Sequence, residues 1–234
     1  MKPFAPLWKT FGYTLGVLVV AFAVYQFWFF AQILYWAGHN PEMTRFMEIR
    51  LKTMREKTPG ARLKQQWVDY KRISTDLKRA IIVAEDAKFI DHEGFDWEGI
   101  QLAMEKNQRR GKIVAGGSTI TQQLAKNLFL SGKRSALRKG EEAIIAAMLE
   151  AVMDKRRIFE LYLNVAEWGE GVFGAEAAAL HYFGVSAANL SPEQAARLAA
   201  TLPRPQYYDR NRASPYLAQY SETILARMPA AQVP

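Results

Sequence analysis

The feature that most constrains this chain is an uncharged run near its N-terminus, from Phe11 to Trp36 (FGYTLGVLVVAFAVYQFWFFAQILYW). A helix needs roughly 20 apolar residues to cross the hydrocarbon core of a membrane, and this run is longer. A cleaved signal peptide, the alternative, has an apolar core of about 7–15 residues that ends at small residues. Because this run ends in aromatic residues, we expect an uncleaved transmembrane helix over residues 11–36, preceded by a short tail, residues 1–10.

Charge is divided unevenly along the chain. Lys2 and Lys9 are the only charged residues before Glu42, so the rest of the chain holds 29 of the 31 basic residues and all 23 acidic ones, a net charge of +6. Basic residues flank the apolar run on both sides, so the positive-inside rule alone does not fix its orientation. A basic domain favours an anionic partner, which is a nucleic acid, a phosphate ligand or an anionic lipid. Cysteine is absent, which excludes disulfides and thiolate metal sites.

Helical periodicity dominates the rest of the chain, because apolar residues recur at spacings of three and four. A membrane-proximal segment, residues 37–60, contains an amphipathic helix over 43–57 that either lies on the membrane or packs as an ordinary helix. Residues 61–234 are predicted to form a mainly α-helical domain, with a small hairpin among residues 61–73 and a Pro-rich surface stretch after Leu202. The predicted helices of the domain span residues 75–90, 97–109, 118–129, 137–153, 155–164, 171–182, 191–201 and 214–227.

Two adjacent acidic residues, Glu85 and Asp86, interrupt an apolar segment, IIVAEDAKF. On a helix, Ile82, Glu85 and Phe89 share one face, so Glu85 is predicted to lie on an apolar stripe. A carboxyl group in such surroundings resists ionisation, which tunes a general acid or base toward neutral pH. The alternative is a helix end that carries two solvated acids.

A glycine pair, Gly116 and Gly117, precedes a predicted helix that Ser118 or Thr119 can cap. Free backbone N–H groups at such a helix start attract anions, and basic side chains follow closely. We predict that this segment binds phosphate or pyrophosphate; the alternative is a capped helix with a solvated basic surface. The P-loop pattern is absent. The basic residues are Lys126, Lys133, Arg134, Arg138 and Lys139.

A second acidic pair, Glu141 and Glu142, lies on the next predicted helix, in the segment RKGEEAIIAAMLEAV. Helical spacing draws one of these two acids toward the apolar side, and periodicity does not choose between them. Arg138 lies one turn before Glu142, so an Arg–Glu pair that only supports the helix is one interpretation. A second catalytic carboxylate is the other.

Together these segments resemble the peptidoglycan glycosyltransferase family. EDAKFIDHEGF is similar to its E-D-x-x-F-x-x-H-x-G signature, GGSTITQQLAKNLFL to its second motif, and RKGEE to its R-K-x-x-E motif, which selects Glu142 over Glu141. KRRIFELYLNVAEWG and GAEAAALHYFG are similar to two later segments. Because the motifs occur in family order over residues 80–203, their combination is far more specific than any single motif.

The resemblance implies a mainly α, lysozyme-like glycosyltransferase domain behind a single N-terminal transmembrane helix. It implies an inverting transfer that polymerises lipid II and releases undecaprenyl pyrophosphate, with Glu85 as the general base and Glu142 organising the donor and the leaving group. No cofactor is expected to be required, although a divalent metal, Mg²⁺ or Mn²⁺, assists some members; the sequence offers no recognisable metal cage. The substrate-binding positions carried over from the motifs are Asp86, Ser118, Gln123, Lys126, Arg134 and Lys139.

Location and partners follow from the same resemblance. Lipid II is polymerised on the outer face of the inner membrane, which implies a cytoplasmic N-terminus and a periplasmic domain. The expected partners are lipid II, the growing glycan strand, the membrane, and other proteins of cell-wall synthesis and division, but no nucleic acid. The sequence contains no S-x-x-K, so the transpeptidase chemistry of bifunctional relatives is not expected.

Two other functions remain open on the sequence. A murein hydrolase or lytic transglycosylase of lysozyme-like fold would also use a glutamate on a helix, but it would not need the basic segment after the glycine pair. An inactive, membrane-anchored scaffold for wall synthesis would not need Glu85 and Glu142.

Overall fold

The structure is a computed structural model that describes residues 7–112, 116–130 and 135–234, and it divides into two compact units after His39. The first unit is a single helix, α1 (Leu7–Gly38). Within those described ranges it is the one helix that is long and apolar enough to cross a membrane. It includes the whole predicted span, residues 11–36. Helical backbone stops before the Asn40–Pro41 pair, because the residue before a proline disfavours the helical region.

The second unit, Asn40–Pro234, is built mainly from helices. Ser, Thr and Asp residues cap most of them; Thr44, Ser74 and Thr119, for example, each accept a hydrogen bond from the backbone N–H three residues later. The helices are α2 (Arg45–Lys57), α3 (Thr75–Glu85), α4 (Trp97–Arg110), α5 (Ile120–Phe129), α6 (Ala136–Val152), α7 (Lys155–Val165), α8 (Ala175–Phe183), α9 (Pro192–Thr201), α10 (Pro205–Arg210) and α11 (Pro215–Arg227).

Two helix groups form the core of the second unit. In one, α3 packs against α9 and α11; in the other, α5 packs against α6, α7 and α2. Apolar residues at helical spacing, such as Ile81 and Ile82 of α3 and Leu124 of α5, are fully buried. Burying one such side chain stabilises the fold by roughly 1.5–3 kcal/mol. The C-terminal end of α3 is joined to the N-terminal end of α5 by the Asp86 carboxylate, which accepts from the Ile120 N–H at 2.9 Å.

A three-stranded sheet replaces the hairpin predicted among residues 61–73. Strand β1 (Lys64–Gln65) pairs in parallel with β3 (Val172–Phe173), which also pairs antiparallel with β2 (Glu167–Gly169). Asn164 explains the long-range pairing: its side chain accepts from the Val68 N–H at 2.9 Å and donates to the Val68 carbonyl at 3.0 Å. The hairpin prediction was wrong because the partner of this segment lies about 100 residues away in the sequence.

Two predicted helices have other ends in the structure, and one short helix was not predicted. Helix α3 ends at Glu85 instead of residue 90, because the Asp86 side chain leaves the helix to bind the start of α5. Helix α8 begins at Ala175 instead of residue 171, because the preceding residues form β3. Short helix α10 begins at Pro205 within the predicted surface stretch, since proline is favoured in the first turn of a helix.

Candidate functional site

Three helices bring together the side chains of Glu85, Gln123 and Tyr162. The Gln123 amide nitrogen Nε2 donates to Glu85 Oε2 at 2.7 Å, and the Tyr162 hydroxyl donates to Gln123 Oε1 at 3.1 Å. The second carboxylate oxygen, Glu85 Oε1, is buried and has no hydrogen-bond partner within the described part of the chain. One oxygen of this carboxyl group is therefore held by the protein, and the other has capacity for a proton or a further donor.

Burial is the main influence on the acidity of Glu85, and it raises the pKa of this carboxyl group to about 7. The hydrogen bond from Gln123 and the charge of Lys126 act in the opposite direction, while the neighbouring carboxylate of Asp86 adds to the increase. The sequence prediction that Glu85 lies in apolar surroundings agrees with this cause. A carboxyl group that titrates near neutral pH can both accept and return a proton under physiological conditions.

Asp86 ties the end of α3 to the start of α5. Its Oδ2 accepts from the backbone N–H of Ile120, the first residue of α5, at 2.9 Å, and its Oδ1 lies 3.0 Å from Nε2 of His92. A carboxylate at a helix N-terminus also interacts favourably with the helix dipole. Because the protein supplies partners for both oxygens, Asp86 fixes the position of Glu85, and its expected contact with substrate stays a prediction.

Glu142 is surrounded by cations. It is 3% exposed, whereas its neighbour Glu141 is half-buried, so the structure chooses between the two acids that periodicity left open. Arg138 Nη1 donates to Glu142 Oε2 at 2.6 Å, and the ammonium group of Lys139 binds Oε1. The Arg–Glu pair predicted from the one-turn spacing is present, and Lys139 extends it into a charged triad.

Lys139 connects this triad to the glycine-led segment. Its ammonium nitrogen lies 3.0 Å from Ser118 Oγ and 3.3 Å from Gln122 Oε1. Thr119, not Ser118, is the residue that caps α5, so the Ser118 hydroxyl remains exposed beside Lys139. The segment thus presents a hydroxyl group and a cation together, as a binding site for an anion requires.

Lys126 is close to both carboxylates, those of Glu85 and Glu142. Burial lowers the pKa of its ammonium group, while the carboxylates of Glu142 and Glu85 both raise it. No hydrogen bond or ion pair to its nitrogen is found among residues 7–112, 116–130 and 135–234, which leaves its donors available. Arg134, predicted to bind substrate, and Lys133 lie outside the described residues.

Two cavities lie close to Glu85. One, of about 270 Å³, is lined by Glu85 itself, Asp86, the glycine pair and Ser118. The other, of about 450 Å³, is lined by Gln123 and Lys126 among others. Glu85 therefore borders the first cavity directly and is connected to the second through its hydrogen bond with Gln123.

Several residues that line the larger cavity were not found from the sequence. Asn127 follows Gln123 by four positions on α5, a spacing that places both on one helical face and could have identified it. Glu167 of β2 lies within the segment KRRIFELYLNVAEWG, where the sequence assigned it no role, and the others lie on α2 or in and beside α10, where no local pattern pointed to them. They include Arg50, Glu167, Arg204 and Tyr207.

The described residues do not suggest a metal centre. Among them, no group of three or more His, Asp or Glu side chains is arranged to hold an ion. The structure therefore assigns no ligands to the divalent metal that the resemblance allows, and the expectation that no cofactor is required stays a prediction.

Comparison with known proteins adds an independent line of evidence. A family model described as transglycosylase matches residues 51–229, which include every predicted site residue. Three similar relatives bear the name biosynthetic peptidoglycan transglycosylase. That of Dechloromonas aromatica is 65% identical over 93% of this chain and 94% of its own length. That of Methylobacillus flagellatus is 60% identical over 95% and 96%, and that of Nitrosospira multiformis is 56% identical over 97% of each chain.

Proposed function

Because the chain belongs to the transglycosylase family, we propose that it polymerises lipid II into linear glycan strands during peptidoglycan synthesis. Each step joins the disaccharide of a lipid II acceptor to the growing strand and releases undecaprenyl pyrophosphate from the donor. The assignment of this reaction to the site rests on the properties of the Glu85 carboxyl group. Its pKa is raised to about 7, one of its oxygens has no partner among the described residues, and it lines one cavity while its partner Gln123 lines another.

The proposed reaction is a single displacement with general base catalysis. The Glu85 carboxylate takes the proton of the acceptor's 4-hydroxyl group while that oxygen attacks the anomeric carbon of the donor sugar. The bond between the anomeric carbon and the pyrophosphate oxygen breaks, the pyrophosphate leaves with the electron pair, and the configuration at the anomeric carbon inverts. The cavity lined by Glu85 and the cavity lined by Gln123 provide separate spaces for acceptor and donor.

The cations near Glu142 are suited to the leaving group. Negative charge develops on the pyrophosphate as its bond to the sugar breaks, and positioned cations stabilise that charge. Lys126, which has no ion-pair partner in the described ranges, provides one cation, and Lys139 provides a second beside Ser118. In this proposal Glu142 acts through Arg138 and Lys139 by holding them in place.

Two further contacts are proposed from the motifs. Gln123 is expected to touch the substrate sugars where it lines the larger cavity, and Arg134 is expected to contribute another positive charge to the pyrophosphate. A divalent Mg²⁺ or Mn²⁺ ion that accompanies the substrate would add to the same charge neutralisation.

The apolar helix α1 is proposed to anchor the enzyme in the inner membrane, with its N-terminus in the cytoplasm and the catalytic domain in the periplasm. The physical reason is the substrate, whose undecaprenyl chain cannot leave the bilayer. An anchored domain meets such a substrate by diffusion in two dimensions. Other proteins of wall synthesis and division are expected as partners, without an assigned surface.

The proposed function is tested with the purified full chain in detergent, supplied separately with lipid II and with preformed glycan. We expect glycan strands and undecaprenyl pyrophosphate from lipid II, and no soluble fragments from preformed glycan. Fragments from preformed glycan would support the hydrolase alternative instead. A folded protein that is inert toward both substrates would support the scaffold alternative and refute the proposal.

A further inference from the structure

Tyr162 of α7 is close to the candidate base, Glu85, and its hydroxyl group has a single polar partner among the described residues. The residue is 1% exposed, and its hydroxyl group donates to Gln123 Oε1 at 3.1 Å. Burial and the nearby carboxylates of Glu85 and Asp86 raise the pKa of this hydroxyl well above its ordinary value. Tyr162 therefore keeps its proton at any pH at which the enzyme works, and that proton needs an acceptor.

The need for an acceptor decides which way the Gln123 side chain points. An amide group has an oxygen that only accepts and a nitrogen that only donates. If the amide turned over, Nε2 would face the Tyr162 hydroxyl, whose proton would then be buried without an acceptor. At the same time Oε1 would face the Glu85 carboxylate, and two acceptors would oppose each other. The observed orientation, with Nε2 toward Glu85 at 2.7 Å, avoids both penalties.

This orientation matters because it distinguishes the two protonation states of Glu85. The Gln123 N–H stabilises the carboxylate, whereas a protonated carboxyl group would need an acceptor at the same position. The other titratable groups that act on Glu85 are the adjacent residue Asp86 and, from α5, Lys126. Tyr220 of α11 also lies near Glu85, but its pKa is raised to about 12, so it keeps its proton and carries no charge. Glu142 of α6 acts on Glu85 through Lys126. Because the pKa of Glu85 is about 7, one hydrogen bond changes the fraction of active base near neutral pH.

We propose that Tyr162 is a positioning residue for the reaction: by fixing the Gln123 amide, it holds Glu85 in the carboxylate form that can accept a proton. This inference rests on the proposed function, in which Glu85 is the base. Tyr162 itself touches no reacting atom in this account. Its influence passes through the Gln123 amide, over two hydrogen bonds that connect α7, α5 and α3.

The test is the Tyr162→Phe variant, which removes the hydroxyl group and keeps the buried ring. Without the hydroxyl, the amide is free to turn and accept from a protonated Glu85, so the carboxyl group loses its proton only at higher pH. We expect the rising acidic limb of kcat/KM for lipid II polymerisation to move up by about 0.5–1 pH unit, the size of one ordinary hydrogen bond. At pH values above the limb, activity should return to within a few-fold of the wild-type level.

Tyr220→Phe is the matched control. The Tyr220 hydroxyl also lies near Glu85, but it donates to the backbone carbonyl of Ala84 at 3.2 Å and not to Gln123. Its removal should leave the acidic limb where the wild type has it. An equal shift in both variants, or a folded Tyr162→Phe variant with the wild-type limb, would overturn the proposal.

A second measurement separates this inference from the proposed function. In protein labelled with ¹³C at the glutamate carboxyl carbons, the Glu85 signal is identified by its absence in Glu85→Gln and titrated without any substrate. The Glu85 midpoint should be higher in Tyr162→Phe than in wild type, whether or not the chain polymerises lipid II. Equal midpoints would refute the role of Tyr162, while failure of wild type to polymerise would refute only the proposed function.

Discussion

Two glutamates of the site, the half-buried Glu85 and the buried Glu142, have opposite surroundings. Glu85 has one neutral partner, the Gln123 amide, and one oxygen without a partner in the described ranges. Glu142 has two cationic partners, Arg138 and Lys139, one on each oxygen. A carboxylate held by two cations keeps its charge and its position, whereas a carboxyl group in apolar surroundings can exchange a proton. The same side chain is thus suited to proton transfer in one place and to structural organisation in the other.

The largest expected effect is on Glu85. Replacing Glu85 by Gln keeps the shape of the side chain and removes the base, so we expect polymerisation of lipid II to fall by about 10²- to 10⁴-fold. The measurement is the initial rate of glycan formation. The matched control is Glu93→Gln, which changes an exposed carboxylate on the following turn and should retain activity. Wild-type rates in Glu85→Gln would show that another group is the base and would remove the contrast between the two glutamates.

A smaller effect is expected on stability, and it concerns Glu142. In Glu142→Gln one of the two cations faces an amide N–H₂ group, and the half-buried Arg138 and the exposed Lys139 both lose their counter-charge. We expect the free energy of unfolding to fall by about 1–3 kcal/mol, a reduced value because Lys139 is partly exposed. Chemical unfolding of the full chain in detergent measures this change.

The reference variants for that experiment are Glu85→Gln and Glu93→Gln. Each should change the free energy of unfolding by less than about 1 kcal/mol, because the Glu85 carboxylate is bound by the neutral Gln123 amide and the Glu93 side chain is exposed. If Glu85→Gln destabilises the protein as much as Glu142→Gln does, the proposed division between proton transfer and organisation is wrong.

The smallest expected effect is a shift in the position of the acidic limb. The Lys126 cation favours the ionised form of Glu85, so Lys126→Met should raise the pKa of that carboxyl group from its value of about 7. The variant also loses a proposed cation for the leaving group, so activity should fall at every pH, and the position of the limb reports the effect on Glu85. Because the base must be ionised to act, the acidic limb of kcat/KM should move to higher pH, by about 0.5–1 unit. A pH series from 5 to 9 measures the limb. Lys71→Met, which removes an exposed cation elsewhere, should leave it unchanged; a limb that also stays in place in Lys126→Met would show that Lys126 does not act on Glu85.

The sequence was sufficient for the family and for the fold class. The comparisons confirm the resemblance to peptidoglycan glycosyltransferases, and the structure confirms a mainly helical domain after one long apolar helix. The glycine pair and the capping residues that follow it also predicted the start of α5 to within two residues, because capping depends on local hydrogen bonds. The end of α3 could not be obtained in this way, since Asp86 leaves the helix for a partner 34 residues away.

The residue types and their spacing were enough to identify a helix that could span a membrane and a helical domain. They also placed acidic and basic groups on particular helical faces. These properties follow from local periodicity, which relates residues only three or four positions apart. Only the tertiary structure decided that Tyr162 of α7 supports Gln123 of α5, and that Gln123 binds Glu85 at the end of α3. Helix packing creates those contacts and also the burial that tunes the carboxyl group, and burial at one residue depends on chain segments that no local pattern connects.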